Sequence, residues 1–159
     1  MPKHASVTEA RQLQDEGGTY VDVRSQAEFE LGHAAGAVNV PLLDRDPQSG
    51  RMAPNADFMH VMRANFAPDA RLLIGCQVGG RSMRAAQMLE AFGFTDVTNV
   101  KGGFGGLKDP MGRSIDPGWE ESGLPVETDA AGRAYPDLAA KAGIDIGYTL
   151  EDLKRDVKA

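Results

Sequence analysis

The chain has 159 residues, enough for one well-cored domain, and its 42% apolar and 25% charged residues are ordinary for a globular protein. A net charge of −6 with dispersed basic residues argues against a non-specific nucleic-acid binder, and no stretch approaches the roughly 20 apolar residues of a membrane span. The lone cysteine, Cys76, excludes an intrachain disulfide and suits a reducing compartment; Met1 to Ala10 lacks the apolar core of a signal peptide, so a cytoplasmic location is expected.

Ser6-Val7-Thr8-Glu9 is a capping box that predicts a helix to about Glu16, stopped by Gly17-Gly18. Thr19 to Val23, β-branched and aromatic, predicts a buried strand with Asp22 and Arg24 at its C-terminal end, where open α/β sheets carry their functional groups. Ser25-Gln26-Ala27-Glu28 repeats the capping-box spacing and opens a short helix with Phe29 and Leu31 on one face. Gly32-His33-Ala34-Ala35-Gly36 is a turn into a second strand, Ala37 to Val40, ended by Pro41. The stretch from Asp44 to Asn55 holds Pro47, Gly50 and Pro54 among charged residues and predicts a mobile surface loop.

Helical spacing returns over Ala56 to Phe66, and Arg71 to Gly75 is the strand that delivers Cys76. Ser82 to Phe92 sets Met83, Ala86, Leu89 and at its end Phe92 along one helical face before Gly93, and Asp96 to Val100 is a further strand leading into the glycine-rich turn Lys101 to Gly106. Strands alternating with helices imply βαβ crossovers, hence an α/β fold with a mainly parallel sheet covered on both faces. Residues 107–118 predict an inserted loop within a domain spanning 1–126, and Trp119 to Val126 returns to the core. Residues 127–159 form a C-terminal extension, not a separate domain, with short helices expected over Pro136 to Ala142 and Thr149 to Val157. No internal repeat is present. His4, His33 and His60 are scattered, so neither a metal nor another cofactor is expected.

An isolated cysteine is usually a small buried hydrophobe. Cys76 differs in three respects: it ends a strand, Gly79-Gly80 follow it, and Arg81 enters the next helix. A strand-to-helix turn presents unpaired backbone N–H groups and the positive end of the helix dipole, conditions that favour a thiolate and an accessible sulfur. A cysteine phosphatase or arsenate reductase would use a similar cradle. Here only four residues separate Cys76 from Arg81, a narrow loop for a tetrahedral phosphate or arsenate, and glycine precedes the cysteine where those phosphatases have histidine. The tighter loop fits the outer sulfur of a persulfide. No histidine in sequence reach supports a protease-like Cys/His pair.

Four motifs occur in order: Asp22-Val23-Arg24 with Glu28-Phe29, then Gly32 to Pro41, then Cys76-Gln77-Val78-Gly79-Gly80-Arg81-Ser82, then Gly102-Gly103-Phe104. Together they resemble a single-domain rhodanese-like sulfurtransferase over about residues 5 to 126. The resemblance implies a three-layer α/β sandwich around a parallel sheet. It also implies catalysis by Cys76, with Gln77, Val78, Gly79, Gly80, Arg81 and Ser82 binding substrate and Asp22, Arg24 and His33 in support. The chemistry implied is a two-step transfer. Thiosulfate or a similar donor leaves a sulfane sulfur on Cys76, and cyanide or a thiol, small or on a protein, removes it. No nucleic acid or membrane partner is implied. The alternative on the same fold is a persulfide carrier or regulatory docking module with no turnover of its own.

Blander roles stand beside these. Arg81 has a surface salt bridge as its alternative to closing the anion loop. Asp22 and Arg24 read as locks on the sheet edge, and His33 as a hydrogen-bonded turn residue, not a general base. Gln77 and Val78 are expected at the pocket mouth, Gly102 to Phe104 beneath the active loop. Arg45 and Arg51 are read as solvated loop residues, although they would also attract an anionic donor. Two departures from the family stand out. Trp119 and Gly123-Leu124-Pro125 lie farther along than the family places its tryptophan and Gly-Leu-Pro-like ending, and the tail after Glu127 has no counterpart.

Overall fold

The computed structural model describes residues 2–149, 151 and 152. In chain order it contains β1 (Lys3–Ala5), α1 (Val7–Asp15), β2 (Thr19–Asp22), α2 (Gln26–Leu31), β3 (His33–Ala34) and β4 (Val38–Asn39). There follow β5 (Leu43–Arg45), β6 (Met52–Pro54), α3 (Phe58–Asn65), β7 (Leu72–Gly75), α4 (Gly80–Ala91) and β8 (Val97–Val100). The chain continues through β9 (Leu107–Lys108), β10 (Ser114–Asp116), β11 (Val126–Glu127) and α5 (Tyr135–Lys141). Both predicted capping boxes form: Ser6 and Ser25 each accept the N–H of the residue three ahead, and Glu9 and Glu28 reach back.

The central sheet runs β1-β8-β7-β2-β4 with every pairing parallel, and helices cover both faces, the α/β sandwich that the alternation of elements predicts. Its central strands β2, β7 and β8 are almost wholly buried, so successive side chains feed two separate cores. Val21, Leu72, Ile74 and Cys76 pack with α3, α4 and α5, while Tyr20, Leu73 and Val100 pack with α1, Phe29 and Trp119. Trp119 returns to the core as expected. It is fully buried, meets the Tyr20 ring edge-on at 5.3 Å, and its indole N–H donates to the Pro125 carbonyl at 2.7 Å.

Several local expectations are corrected. Residues 43 to 54 form a β5–β6 antiparallel hairpin instead of a mobile loop, because Asp44 is drawn inward to accept the backbone N–H and side-chain amide of Gln26. The 107–118 stretch carries a second short hairpin, β9–β10. Leu31 does not share the buried face of Phe29. It stands 84% exposed at the last residue of α2, where the chain turns away through Gly32. The edge strand β1 was not legible; it is three residues long and only Ala5 is buried.

The helix expected over Pro136 to Ala142 is α5, whose Tyr135, Leu138 and Ala139 join the α3–α4 core. The one expected from Thr149 to Val157 falls largely outside the described residues. Among the described residues no helix is long and apolar enough to cross a membrane.

Candidate active site

The register of the sheet builds the site. Asp22, last in β2, lies directly beside Gly75, last in β7, and the Val23 N–H donates to the Gly75 carbonyl at 2.9 Å. Asp22-Val23-Arg24 and Cys76 therefore leave the sheet together at its C-terminal edge, where parallel sheets place their sites. No side chain fits at position 75, since a Cβ there would lie 2.1 Å from the Tyr20 hydroxyl. The glycine before the cysteine is thus dictated by the packing of β2 on β7.

Cys76 continues the row of Leu72 and Ile74 into the α3–α4 core and is only 1% exposed. This corrects the expectation of an exposed sulfur: alternation along the strand turns residue 76 to the buried face just as the chain bends into α4. The sulfur nevertheless sits at a helix start. Its Sγ accepts the N–H of Gly79, the residue that caps α4, at 3.1 Å, and stands 3.4 Å from the Ser82 hydroxyl. Gly80, Arg81 and Ser82 form the first helical turn, whose N–H groups have no acceptor within the helix. Ser82 is fully buried. Its Oγ lies 2.6 Å from Asn99 Oδ1 and 3.0 Å from the Gly79 carbonyl, two acceptors for one hydroxyl proton.

The turn after β8 holds the loop from below, as expected. Phe104 N–H donates to the Cys76 carbonyl at 2.8 Å and Gly105 N–H to the Gln77 carbonyl at 2.9 Å. Gly103 has φ of +57°, and a Cβ on it would stand 2.2 Å from the Cys76 carbonyl oxygen, so this position admits glycine alone.

Asp22 and Arg24 act as the lock read from the sequence. Arg24 Nη2 donates to Asp22 at 2.8 Å and to the Gly32 carbonyl at 2.7 Å, and its Nη1 donates to Gln77 Oε1 at 3.2 Å. The guanidinium also lies 4.6 Å from the centre of the Phe104 ring. One buried cation thus ties β2, the turn at Gly32, the cysteine loop and the Gly102–Phe104 turn together. The Gln77 side chain is engaged in this lock, whereas Val78 is 46% exposed.

His33 lies apart from the sulfur. Its ring stacks on Phe29 at 3.7 Å, with Nδ1 2.7 Å from the Phe29 carbonyl and Nε2 3.0 Å from the Asp129 carbonyl. It belongs to the short strand β3, opposite Glu127 of β11, and not to a turn as read from the sequence; its Nε2 also stands 3.4 Å from the Glu127 carboxylate.

Arg81 takes the alternative role. Its Nη1 and Nη2 donate to the two oxygens of Glu28 at 2.7 and 3.0 Å, so its charge is directed to α2 rather than into the loop. Partial burial on its own would push the Glu28 carboxyl up. The bonds from Arg81 and from Ser25 outweigh it and hold the group down at about 2. Arg45 is likewise engaged, donating to the Gly50 carbonyl within its hairpin at 2.7 Å, and Arg51 is exposed. Glu28 and Asn99 were not read from the sequence as parts of the site. Glu28 had the sufficient role of a helix cap, and its ion-pair partner lies 53 residues away. Asn99 left one signal, a buried amide beside Thr98 in a wholly buried strand. Among the described residues no group of three or more His, Cys, Asp and Glu side chains is placed to hold a metal ion.

Comparison with known proteins agrees with this geometry. The profile of the rhodanese-like domain matches residues 6–109. Thiosulfate sulfurtransferase 16, chloroplastic, of Arabidopsis thaliana is 36% identical over 127 residues, covering 80% of this chain and 94% of the relative. Thiosulfate sulfurtransferase 18 of the same plant is 41% identical over 100 residues, covering 62% of this chain and 72% of its own. Two further plant relatives are longer, and the chain spans 62% of each. Among solved structures, the crystal structure of Rv0390 from M. tuberculosis superposes with a TM-score of 0.66 at 25% identity, covering 80% of this chain and 98% of that one. With a parallel sheet, a cysteine loop at its C-terminal edge and a family profile that matches residues 6–109, the chain belongs to the rhodanese-like sulfurtransferase superfamily.

Proposed function

We propose that the protein is a sulfurtransferase that moves a sulfane sulfur from a donor such as thiosulfate to a thiophilic acceptor through a persulfide on Cys76. The observation that carries this reading is the place of the sulfur: Sγ accepts a backbone N–H at 3.1 Å, at the start of α4, in a loop backed by the Gly102–Phe104 turn. In the first step the Cys76 thiolate attacks the outer sulfur of thiosulfate. The new Sγ–S bond forms as the S–S bond to the sulfite sulfur breaks, and sulfite leaves with the electron pair. In the second step an acceptor thiolate or cyanide attacks the outer sulfur and the Cys76 thiolate departs.

Each displacement passes through a sulfur-centred anion. Pre-aligned amide donors stabilise such an anion without reorganising, as in an oxyanion hole. The narrow loop, with four residues between Cys76 and Arg81, supports a persulfide over a tetrahedral oxyanion and so this reading over a phosphatase. The names of the two thiosulfate sulfurtransferase relatives support the same reaction class.

The test is thiocyanate formation from thiosulfate and cyanide by the wild type and Cys76→Ala. Turnover that falls by about 10³-fold or more in the variant supports the enzyme. A second reading, a persulfide carrier, draws on the burial of the sulfur, which would shelter a stored persulfide from solvent. Negligible wild-type turnover with a persulfide trapped on Cys76 would favour that carrier.

A further inference from the structure

A cavity of about 140 Å³ lies between α2, the edge strand β4 and the start of the C-terminal extension. Rings and small apolar groups line most of it: Phe29 from α2, then Ala130, Ala134, Tyr135 and Pro136 from the extension. Gln26 and Tyr135 turn their polar ends to other partners. The Gln26 amide donates to Asp44 at 2.7 Å, and the Tyr135 hydroxyl accepts from the Asn55 amide at 3.1 Å. Glu30, partly exposed, is the charged side chain among the lining residues, and the exposed Thr128 and Pro136 put the opening on the extension side.

Asn39 is the polar residue inside. It is 1% exposed, and its Nδ2 donates to the carbonyls of Asp22 and Arg24, each at 3.0 Å, which fixes the nitrogen end of the amide. Its Oδ1 is buried and, among the described residues, has no hydrogen-bond partner. Such an oxygen is rare in a folded protein, because burial removes the hydrogen bond it made with water. The amide is planar, so with Nδ2 held on the end of β2, Oδ1 is directed away from that strand. The family profile stops at residue 109, whereas the extension wall begins at Thr128, and none of residues 76–82 lines the cavity. It is thus completed by residues beyond the family profile and stands apart from the cysteine loop.

The volume is close to that of an apolar cavity that takes up one benzene ring. Glu30 disfavours an anion, and a cation would lose its hydration among the apolar walls. We propose that this cavity binds one small neutral phenol, with its ring against Phe29 and Tyr135 and its O–H donating to Asn39 Oδ1. The hydroxyl supplies the donor that the amide oxygen lacks, and the ring covers apolar surface that would otherwise meet water. Binding also completes the hydrogen bonding of the residue that braces the backbone of Asp22 and Arg24.

The test is an NMR titration of the isotopically labelled full chain with phenol, and with benzene as the isostere that has no donor. Phenol is expected to bind saturably, with Kd on the order of 1 mM, and to shift the side-chain amide signals of Asn39. Benzene is expected to bind about fivefold more weakly, the worth of one hydrogen bond. Ala134→Leu places a larger side chain in the cavity wall and is expected to weaken phenol at least about fivefold. Ala134 meets Asp137 at the start of α5 through its backbone N–H, which leucine keeps. Phenol that produces no saturable shift overturns the proposal, a water alone then serving Asn39. Benzene that binds as tightly as phenol overturns the role of Asn39, and both comparisons hold even where Ala134→Leu does not fold. A folded Ala134→Leu that binds phenol unchanged overturns the location.

Discussion

Arg24 shows how much can rest on one buried charge. It is sealed with Asp22, and the partners of its guanidinium come from separate parts of the chain: the Asp22 carboxylate, the Gly32 carbonyl and Gln77. Removing one partner of such a pair leaves the other charge desolvated, which costs about 3–5 kcal/mol. Arg24→Ala should therefore lose stability in that range in urea unfolding, against a loss below about 1 kcal/mol for a mere surface contact. Ser82 is the other residue-scale device. Its hydroxyl lies between Sγ and Asn99 Oδ1, so a proton that serves Asn99 in the thiol state is available to turn toward a thiolate.

At the scale of elements, α2 and α4 are joined by the Glu28–Arg81 pair, and this contact has a pH signature. The folded carboxyl titrates at about 2, below its ordinary value of 4.5. A depressed carboxyl contributes stability above its unfolded value, and that contribution is lost as pH falls through the folded one. The wild type should exceed Glu28→Gln by about 1–2 kcal/mol at pH 6, a figure reduced for partial exposure, and the gap should close between about pH 4.5 and pH 2. Unfolding free energies of both proteins across that range check this. A gap that is constant with pH would mean that the pair contributes nothing beyond the helix cap.

Elements were legible in the sequence where their signals are local. Ser6–Glu9 and Ser25–Glu28 announce helix starts, and the run Leu72 to Gly75 announces a buried strand, because caps and apolar runs act over a few residues. The lock at Asp22 and Arg24 and the floor under the loop were legible through motif order. Features that were not legible, besides β1, have two kinds of cause: contacts distant in sequence for Asp44 and Arg81, and an obscured strand register for Cys76. Asp44 turns a polar, proline-bearing stretch into a hairpin by bonding to Gln26, 18 residues earlier. Arg81 finds Glu28 across the fold. Cys76 is buried because it continues the alternation of Leu72 and Ile74, a register argument that a glycine-rich loop obscures.

For the molecule as a whole, the parallel sheet does the work of assembly. It brings the ends of β2 and β7 side by side, so that motifs some 50 residues apart in sequence, at Arg24 and at Gln77, meet within hydrogen-bond distance. The described part of the C-terminal extension is tied to the same body. Tyr135, Leu138 and Ala139 share the α3–α4 core, and Arg133 donates to the Ala37 carbonyl at 2.9 Å. The site is thus a sheet edge that carries the cysteine at the start of α4, the setting on which the proposed sulfur transfer rests. Intact-mass analysis of the full chain after treatment with a sulfane donor, thiosulfate and cysteine hydropersulfide in turn, tests this most directly. The account predicts a gain of about 32 Da, one sulfur atom, on Cys76, reversed by cyanide and absent in Cys76→Ala. A mass unchanged by both donors, with Cys76 still a free thiol, would contradict it.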